Sequence, residues 1–551
     1  MKKNLNRRQF LEKLALGSAA WALFPSLACA GKRRDGSASR LPVIDEADIC
    51  VLGGSCTGVF AAVRAARLGA RVIVVERQNA FGGVATRALV NVWHSFLDAE
   101  FKNRIIAGLS QEVIERLARR NAVLEYKRSP STGFRFNSQE LMMELDELVL
   151  ESGVRPYLHT LFSEPVTDGE GRLEGVVVDN KSGRGVVRAK YFVDATGDGD
   201  LCHRLGLPSY THELMQPPTM CAHIEEYDAK EINRLIREHG EEFGIPPGFV
   251  WGGPLPGTKT FMLAATRVNG VDCSDAVQLT RAEMEGRRRV RAIMDMMRKY
   301  AGRELGLNGL PSCIGVRETR HFRCLHRLRD EDMLSGKRYD DAVANGSYRL
   351  DIHHQGKPGL TFRYLDGTEV YMRPGYPKQT GRWRPETGEN PAFYQVPLRS
   401  LIPGRYDNLI LAGRMLDTEM AAFSGVRVMV NMNQLGEAAG VASWLALDGS
   451  TSIARVDPGA VKKTRKRRVH YPLISGYGAK FFAVFRCFIC GEFGLSVKYF
   501  SGKIRYIRPV RGKSQWCVIV LIIMILCTFP NGRCPEIVKK IAKKSAKNLQ
   551  S

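Results

Sequence analysis

Residues 47–58 read Ala47-Asp48-Ile49-Cys50-Val51-Leu52-Gly53-Gly54-Ser55-Cys56-Thr57-Gly58. Ile49, Val51 and Leu52 are apolar and suited to a strand, and a glycine pair follows at once. Residues 59–68 are helical in composition, with Gly69 as a stop. A second apolar run, 72–75, ends at Glu76. The order strand, glycine turn, helix, strand, acid predicts a unit that binds an ADP moiety. The turn presents backbone N–H groups to a pyrophosphate at a helix N-terminus, and the acid accepts hydrogen bonds from ribose hydroxyls.

The glycine pattern G-x-G-x-x-G places its members at 53, 55 and 58, but position 55 is Ser55. The middle glycine normally lets backbone approach the pyrophosphate closely. Serine is the smallest polar replacement, and its hydroxyl is able to donate to a phosphate oxygen. A plain βαβ turn with an incidental acid is the alternative. The flanking strand, the helix and Glu76, 23 residues beyond Gly53, favour the dinucleotide site.

Four further segments extend the pattern: Gly82-Gly83-Val84-Ala85-Thr86; Tyr191-Phe192-Val193-Asp194-Ala195-Thr196-Gly197-Asp198-Gly199-Asp200; Ile314-Gly315-Val316-Arg317-Glu318-Thr319-Arg320; and Asn408-Leu409-Ile410-Leu411-Ala412-Gly413-Arg414, continuing through Gly425-Val426-Arg427-Val428-Met429 to Gly436-Glu437-Ala438-Ala439-Gly440. In order and spacing the five resemble the FAD-dependent oxidoreductase family whose relatives include the flavin subunit of heterodisulfide reductase. The resemblance spans 47 to about 447. It implies an α/β fold: a Rossmann-like FAD-binding domain, a parallel sheet with helices, and an inserted α+β substrate domain. It implies non-covalent FAD held by Gly53, Gly54, Ser55, Thr57, Gly58, Glu76, Arg77, Gly82, Gly83, Thr86, Ala195, Thr196, Gly197, Asp198, Gly413, Arg414, Val426 and Arg427. In relatives the helix beginning near Met429 aims its N-terminus at the flavin ring, where its dipole stabilises negative charge on reduced flavin. Residues 396–403 resemble the family's return strand.

Domain boundaries follow. The FAD domain is read as 41–205 plus 395–450, and the substrate domain as 206–394. The insert lacks the glycine-rich turns of its flanks and holds a basic amphipathic helix at 284–300. Arg317, Glu318, Arg320 and His321 are the candidate catalytic residues. The charges bind an anionic part of substrate or flavin, or they brace the domains. His321, His326, His353 and His354 are candidate proton acceptors. The implied reaction is hydride transfer between a small organic substrate and flavin N5. Two alternatives are lyase or isomerase chemistry with structural FAD, and a non-catalytic flavin-binding module.

The net charge of +24 suggests nucleic acid, but its distribution does not. Residues 1–40 hold 9 Lys/Arg against 2 Asp/Glu, and 464–551 hold 18 against 2, which leaves the body near neutral at +1. No nucleic-acid motif accompanies the charge. Cys50, Cys56, Cys202, Cys221, Cys273, Cys313 and Cys324 contain no C-x-x-C pair, so no iron–sulfur or other metal site is expected. Cys56 is read as a small packed residue rather than a reactive thiolate.

Residues 1–30 read as an export signal. Asn6-Arg7-Arg8-Gln9-Phe10-Leu11 resembles the twin-arginine type, an apolar stretch runs 14–28, and Ala28-Cys29-Ala30 offers a cleavage site. A periplasmic or other extracytoplasmic location follows, with lipid anchoring at Cys29 as an alternative. The basic tail, 464–551, is expected to be disordered or non-native. Its apolar run at 516–529 is short for a bilayer span, which makes surface membrane contact the minority reading.

Overall fold

The computed structural model describes residues 41–466 apart from 130, 227, 247, 355–358 and 374–375, together with the backbone of 495–500 and 503–509. The signal-like segment with Arg7, Arg8 and Cys29, and the apolar run at 516–529, lie outside the described residues. The chain divides into a unit up to Val469 and a second from His470. In the second, Leu495–Phe500 and Lys503–Pro509 form an antiparallel hairpin. No helix among the described residues is long and apolar enough to cross a membrane.

The first unit is built on a seven-stranded sheet. β1 (Val43–Leu52) leads through Gly53-Gly54 into α1 (Cys56–Arg67) and on to β2 (Val72–Val75). Its further strands are β3 (Arg155–Tyr157), β4 (Leu161–Thr167), β5 (Leu173–Asn180) and β6 (Gly183–Asp194), in the order β3-β2-β1-β6-β5-β4. The strand Leu409–Leu411 pairs in parallel with the last three residues of β6.

Register decides what this sheet can bind. Leu52 lies opposite both Val75 and Asp194, and Asp194 lies opposite Leu411. Four parallel strands therefore end at one edge. The residues that follow them, Gly53, Glu76, Ala195 and Ala412, gather in the crevice where α/β sheets take their ligands.

The sheet is mixed rather than parallel throughout. β4, β5 and β6 form an antiparallel meander, because only two residues separate Asn180 from its partner Gly183. A two-residue connection permits a hairpin and no crossover. The return strand expected at 396–403 also differs. Tyr394–Pro397 pairs with Ala342–Gly346 in a separate two-stranded sheet, and a 3-10 turn, Leu398–Leu401, follows. Pro397 has no N–H with which to extend a ladder.

Two antiparallel four-stranded sheets occupy the middle of the chain. One comprises β7 (Thr219–Ile224), β8 (Trp251–Pro254), β9 (Phe261–Arg267) and β10 (Leu307–Gly309). It packs with α2 (Ala276–Ala301), which starts eight residues before the predicted helix because the Asp275 side chain caps it, accepting from Gln278 N–H at 2.9 Å. Met220, Ile236, Leu263 and Ile293 belong to a core separate from that of the main sheet, whereas Phe322, Leu328 and Met333 join the main core. The other sheet is the meander β11 (Leu350–His353), β12 (Leu360–Arg363), β13 (Thr368–Met372) and β14 (Gln379–Arg382).

A long helix near the end of the first unit, α3 (Met429–Asp448), packs against α1. A Cβ on Gly436 would strike the Thr57 carbonyl oxygen, and one on Gly440 the Ala61 carbonyl oxygen. The small residues of this segment thus let two helix backbones touch. The buried Arg64–Glu437 pair, 2.6 Å, ties the same helices, and Glu437 also accepts the Leu109 N–H at 2.9 Å.

Candidate flavin and substrate cavity

A cavity of about 1130 Å³ opens at the carboxyl edge of the main sheet and runs on beneath the two smaller sheets. This exceeds the usual range for a single small ligand. One end is the glycine turn. Gly53 has φ +97°, and any Cβ there would meet the Ala195 backbone, so the turn admits glycine alone. Ser55 caps α1: its Oγ accepts the Gly58 N–H at 3.4 Å. Serine thus replaces the middle glycine as a helix cap, and its own hydroxyl hydrogen remains available to a ligand. Glu76 is 9 % exposed, and its carboxylate is held by two backbone N–H groups, Gly54 at 2.6 Å and Gln78 at 2.8 Å. Each oxygen keeps a second lone pair for a hydroxyl donor.

Of the sequence-predicted cofactor residues, Gly53, Ser55, Thr57, Glu76, Arg77, Gly82, Gly83, Ala195, Thr196, Gly197, Asp198, Gly413, Arg414 and Arg427 line this cavity. Gly54, Gly58, Thr86 and Val426 do not. Gly54 orients Glu76, Gly58 packs against the Gly53 carbonyl, the Thr86 hydroxyl donates to Phe81 O at 2.5 Å, and Val426 is fully buried in the core. Asp198 pairs with Arg414, receives the Thr319 hydroxyl at 2.9 Å and lies 3.8 Å from Arg77. Cys56 lies on the wall, but burial pushes its thiol up to about 12, so it remains protonated.

The four candidate catalytic residues separate. Arg317 lines the cavity, its Nη1 donating to Pro217 O at 2.6 Å and to the Thr219 hydroxyl. Glu318, Arg320 and His321 are not among the residues that line the cavity, and their side chains make bracing contacts within the protein. Arg320 donates to Ser274 O at 3.1 Å and Asp198 O at 3.4 Å, joining the middle segment to the turn that follows β6. Glu318 Oε1 meets His212 Nδ1 at 2.6 Å and His321 Nε2 at 3.1 Å, while its Oε2 accepts the Gln216 N–H at 2.6 Å. The opposite ring nitrogens face Thr418 O and Leu416 O. Burial raises the Glu318 carboxyl, but its histidine hydrogen bonds outweigh this and hold it down at about 2. These three side chains are close enough to share a metal ion, yet every one is already hydrogen-bonded within the protein.

Of the residues at the far end of the cavity, the sequence singled out His353 alone, as a candidate proton acceptor. Arg267, Arg349, Asp351, His353, Tyr348 and His94 line that end. Asp351 and His353 alternate along β11 and Arg349 immediately precedes it, and that period of two in a polar stretch was the available signal. His353 Nδ1 faces Arg267 Nη1 at 3.1 Å and its Nε2 faces Asp351 at 3.2 Å. Both ring nitrogens are thereby used, which removes His353 as a free proton acceptor. His354 bonds the Thr361 hydroxyl at 2.8 Å, and His326 packs on Tyr339; neither lines the cavity. His94 stacks on Tyr348 with ring centroids 3.9 Å apart, and its Nδ1 is buried without a partner. Burial, then the neighbouring Arg349 cation, hold the His94 pKa down at about 3, so the ring is neutral near pH 7.

The chain is similar to several known proteins. Thiamine thiazole synthase of Aeropyrum pernix is 29% identical over 175 residues, which is 30% of this chain. The match spans 59% of that relative's length. Among solved structures, a geranylgeranyl bacteriochlorophyll reductase-like protein of Thermoplasma acidophilum is 12% identical with a TM-score of 0.39, covering 77% of this chain and 83% of that one. The p-nitrophenol 4-monooxygenase of Pseudomonas putida is 11% identical with a TM-score of 0.39, covering 82% and 95%. Likenesses this distant say nothing of substrate. The FAD dependent oxidoreductase family model matches residues 48–467, nearly the whole of the first unit, and the chain therefore belongs to that family as an FAD-using enzyme.

Proposed function

We propose that the enzyme moves a hydride between a carbon of a small organic substrate and the N5 position of FAD. The observation that supports this is the single continuous cavity, with a dinucleotide-type turn at one end and a polar, aromatic chamber at the other. The glycine turn, the Glu76 carboxylate and the Ser55 hydroxyl suit the ADP half of FAD. Gly197, Gly413 and the N-terminus of α3 at Val428 and Met429 suit the remainder. The chemistry that FAD supplies when bound is two-electron acceptance at N5. The protein's own part is to hold the substrate carbon in the chamber and to take the accompanying proton. His94 is the acceptor we assign: it lines the cavity and is neutral, and with a pKa of about 3 it becomes an effective base only when its surroundings change on ligand binding. An anionic ligand beside it would raise its basicity.

Purified protein should be yellow and release FAD on denaturation. Anaerobic addition of candidate substrates should bleach the flavin band, and His94→Ala should slow bleaching by about 10²-fold or more while FAD content stays normal. Flavin that no substrate bleaches would instead favour non-redox chemistry around a structural cofactor.

Kinship to the flavin subunit of heterodisulfide reductase, export by the twin-arginine route and the domain limits 41–205 with 395–450 around 206–394 remain part of this proposal. So do a small-molecule rather than nucleic-acid partner and membrane contact through the basic tail. Twin-arginine export carries folded proteins, which suits an enzyme that takes up FAD before leaving the cytoplasm. The +16 charge of residues 464–551 would favour an acidic lipid surface.

A further inference from the structure

The chamber has an unusual charge balance. Arg267, Arg317, Arg349 and Arg427 line it, and the carboxylate that faces them is Asp351. Asp351 is itself shared: it lies 3.4 Å from Arg427 and 3.1 Å from His353. Arg267 and Arg317 take part in no ion pair among the described residues. Arg317 spends Nη1 on a carbonyl and a hydroxyl, which leaves Nε and Nη2 for a ligand. Arg427 Nε is buried without a partner, and Arg427 sits one residue before the N-cap of α3, at the positive end of that helix.

Half-buried arginines without carboxylates of their own carry a desolvation cost that no counter-charge offsets. The strain is visible at Arg317, whose pKa falls to about 9, first through burial and then through the cation of Arg427. A fold that keeps such a cluster open to a cavity is arranged for an anion to complete it. The rest of the wall is different in kind. Phe249, Trp251, Leu360, Phe362 and Met372 face the same space. Arg349 lies 3.7 Å over the Phe362 ring and Arg267 5.7 Å from that of Phe249, so aromatic faces flank the cations.

We propose that the substrate of this chamber is an apolar organic acid, its carboxylate or phosphate seated among Arg317, Arg267 and Arg427 and its body against Trp251, Phe362 and Met372. The proposal deepens the oxidoreductase reading by naming the substrate class of the same site. The anion offsets the arginine charge and anchors one end, which turns the opposite end toward the flavin side of the cavity. A bidentate guanidinium–oxyanion contact supplies orientation as well as affinity, so neutral isosteres should bind poorly.

The test uses the full-length yellow protein and four probes: phenylacetate, phenyl phosphate, phenylacetamide and acetate. Binding is read twice, by perturbation of the flavin absorbance and by the shift in thermal unfolding. Phenylacetate or phenyl phosphate should bind at least about tenfold more tightly than phenylacetamide, the loss expected when a charge-assisted hydrogen bond is removed. The tighter of the two anions assigns the oxyanion, and acetate should be weaker for lack of a body. Arg317→Gln should abolish the preference for acid over amide. Because Arg317 also holds Pro217 and Thr219, Arg427→Gln and Arg267→Gln serve as second variants that should each weaken it about tenfold. Equal binding of acid and amide, no binding of either anion, or an acid preference that survives all three variants would overturn the proposal. Colourless protein that still binds phenylacetate by thermal shift would keep the anion site and sink the flavin reading; yellow protein indifferent to charge would do the reverse.

Discussion

Replacing Gly436 and Gly440 by alanine isolates the contact on which the FAD site is mounted. Alanine in a helix interior gains about 1 kcal/mol over glycine from backbone entropy alone. Were α3 merely a core helix with room around it, the double variant would therefore gain about 2 kcal/mol. The structure says otherwise. Each new Cβ would meet a backbone carbonyl oxygen of α1, of Thr57 and of Ala61, well inside van der Waals contact. Backbone cannot swing aside as a side chain does, so the helices must separate, at about 1–3 kcal/mol for each site. At the upper end the net is a loss of about 2 kcal/mol per site. Separation also moves Thr57, which lines the cavity two residues after the capping Ser55. Urea unfolding followed by circular dichroism measures the first effect, and FAD per protein after gel filtration the second. The double variant should unfold at lower urea and retain less FAD. A variant that is more stable and fully flavinated would refute the close-contact argument.

Gly53→Ala should yield folded protein with little or no FAD, since the left-handed turn and the Ala195 backbone leave no space for a methyl group; full FAD occupancy would count against the turn as the pyrophosphate site. Glu318 titrates near 2 rather than 4.5, so its contribution to stability should be complete above about pH 4.5 and vanish as pH falls through 2, and Glu318→Gln should flatten that part of an acid-unfolding curve. Arg320→Ala should lower thermal stability while leaving the rate of substrate-driven flavin bleaching, per bound FAD, near normal; a loss of rate at full occupancy would return Arg320 to the active site. Exchanging Arg7 and Arg8 together for lysine should hold the precursor in the cytoplasm, as fractionation would show, because the paired arginines are the part of the signal that the export machinery reads.

The candidate cofactor end was legible because it is local. A strand, a glycine turn, a helix and an acid at the end of the next strand lie within 35 residues, and each has a fixed backbone reason for its residue type. Even so, three assignments within it depended on neighbours. Ser55 is a helix cap, and Gly54 and Gly58 serve the turn's own packing rather than facing the ligand space.

The charged motif at 317–321 shows where sequence alone stops. Arg317, Glu318, Arg320 and His321 are neighbours in the chain, yet folding sends Arg317 to the cavity and turns the others into a brace with His212, Ser274 and Asp198. The direction of each side chain is set by what packs against it, which adjacency does not encode. The arginine chamber is the converse case. Arg267, Arg317, Arg349 and Arg427 come from four separate stretches; those holding Arg317 and Arg427 resemble family motifs, and those holding Arg267 and Arg349 resemble none. What the sequence by itself determined was the dinucleotide unit, the family and the neutrality of the body between basic ends. Only the tertiary structure decided which polar residues share one cavity, because burying several like charges together is a property of long-range packing and not of any local run.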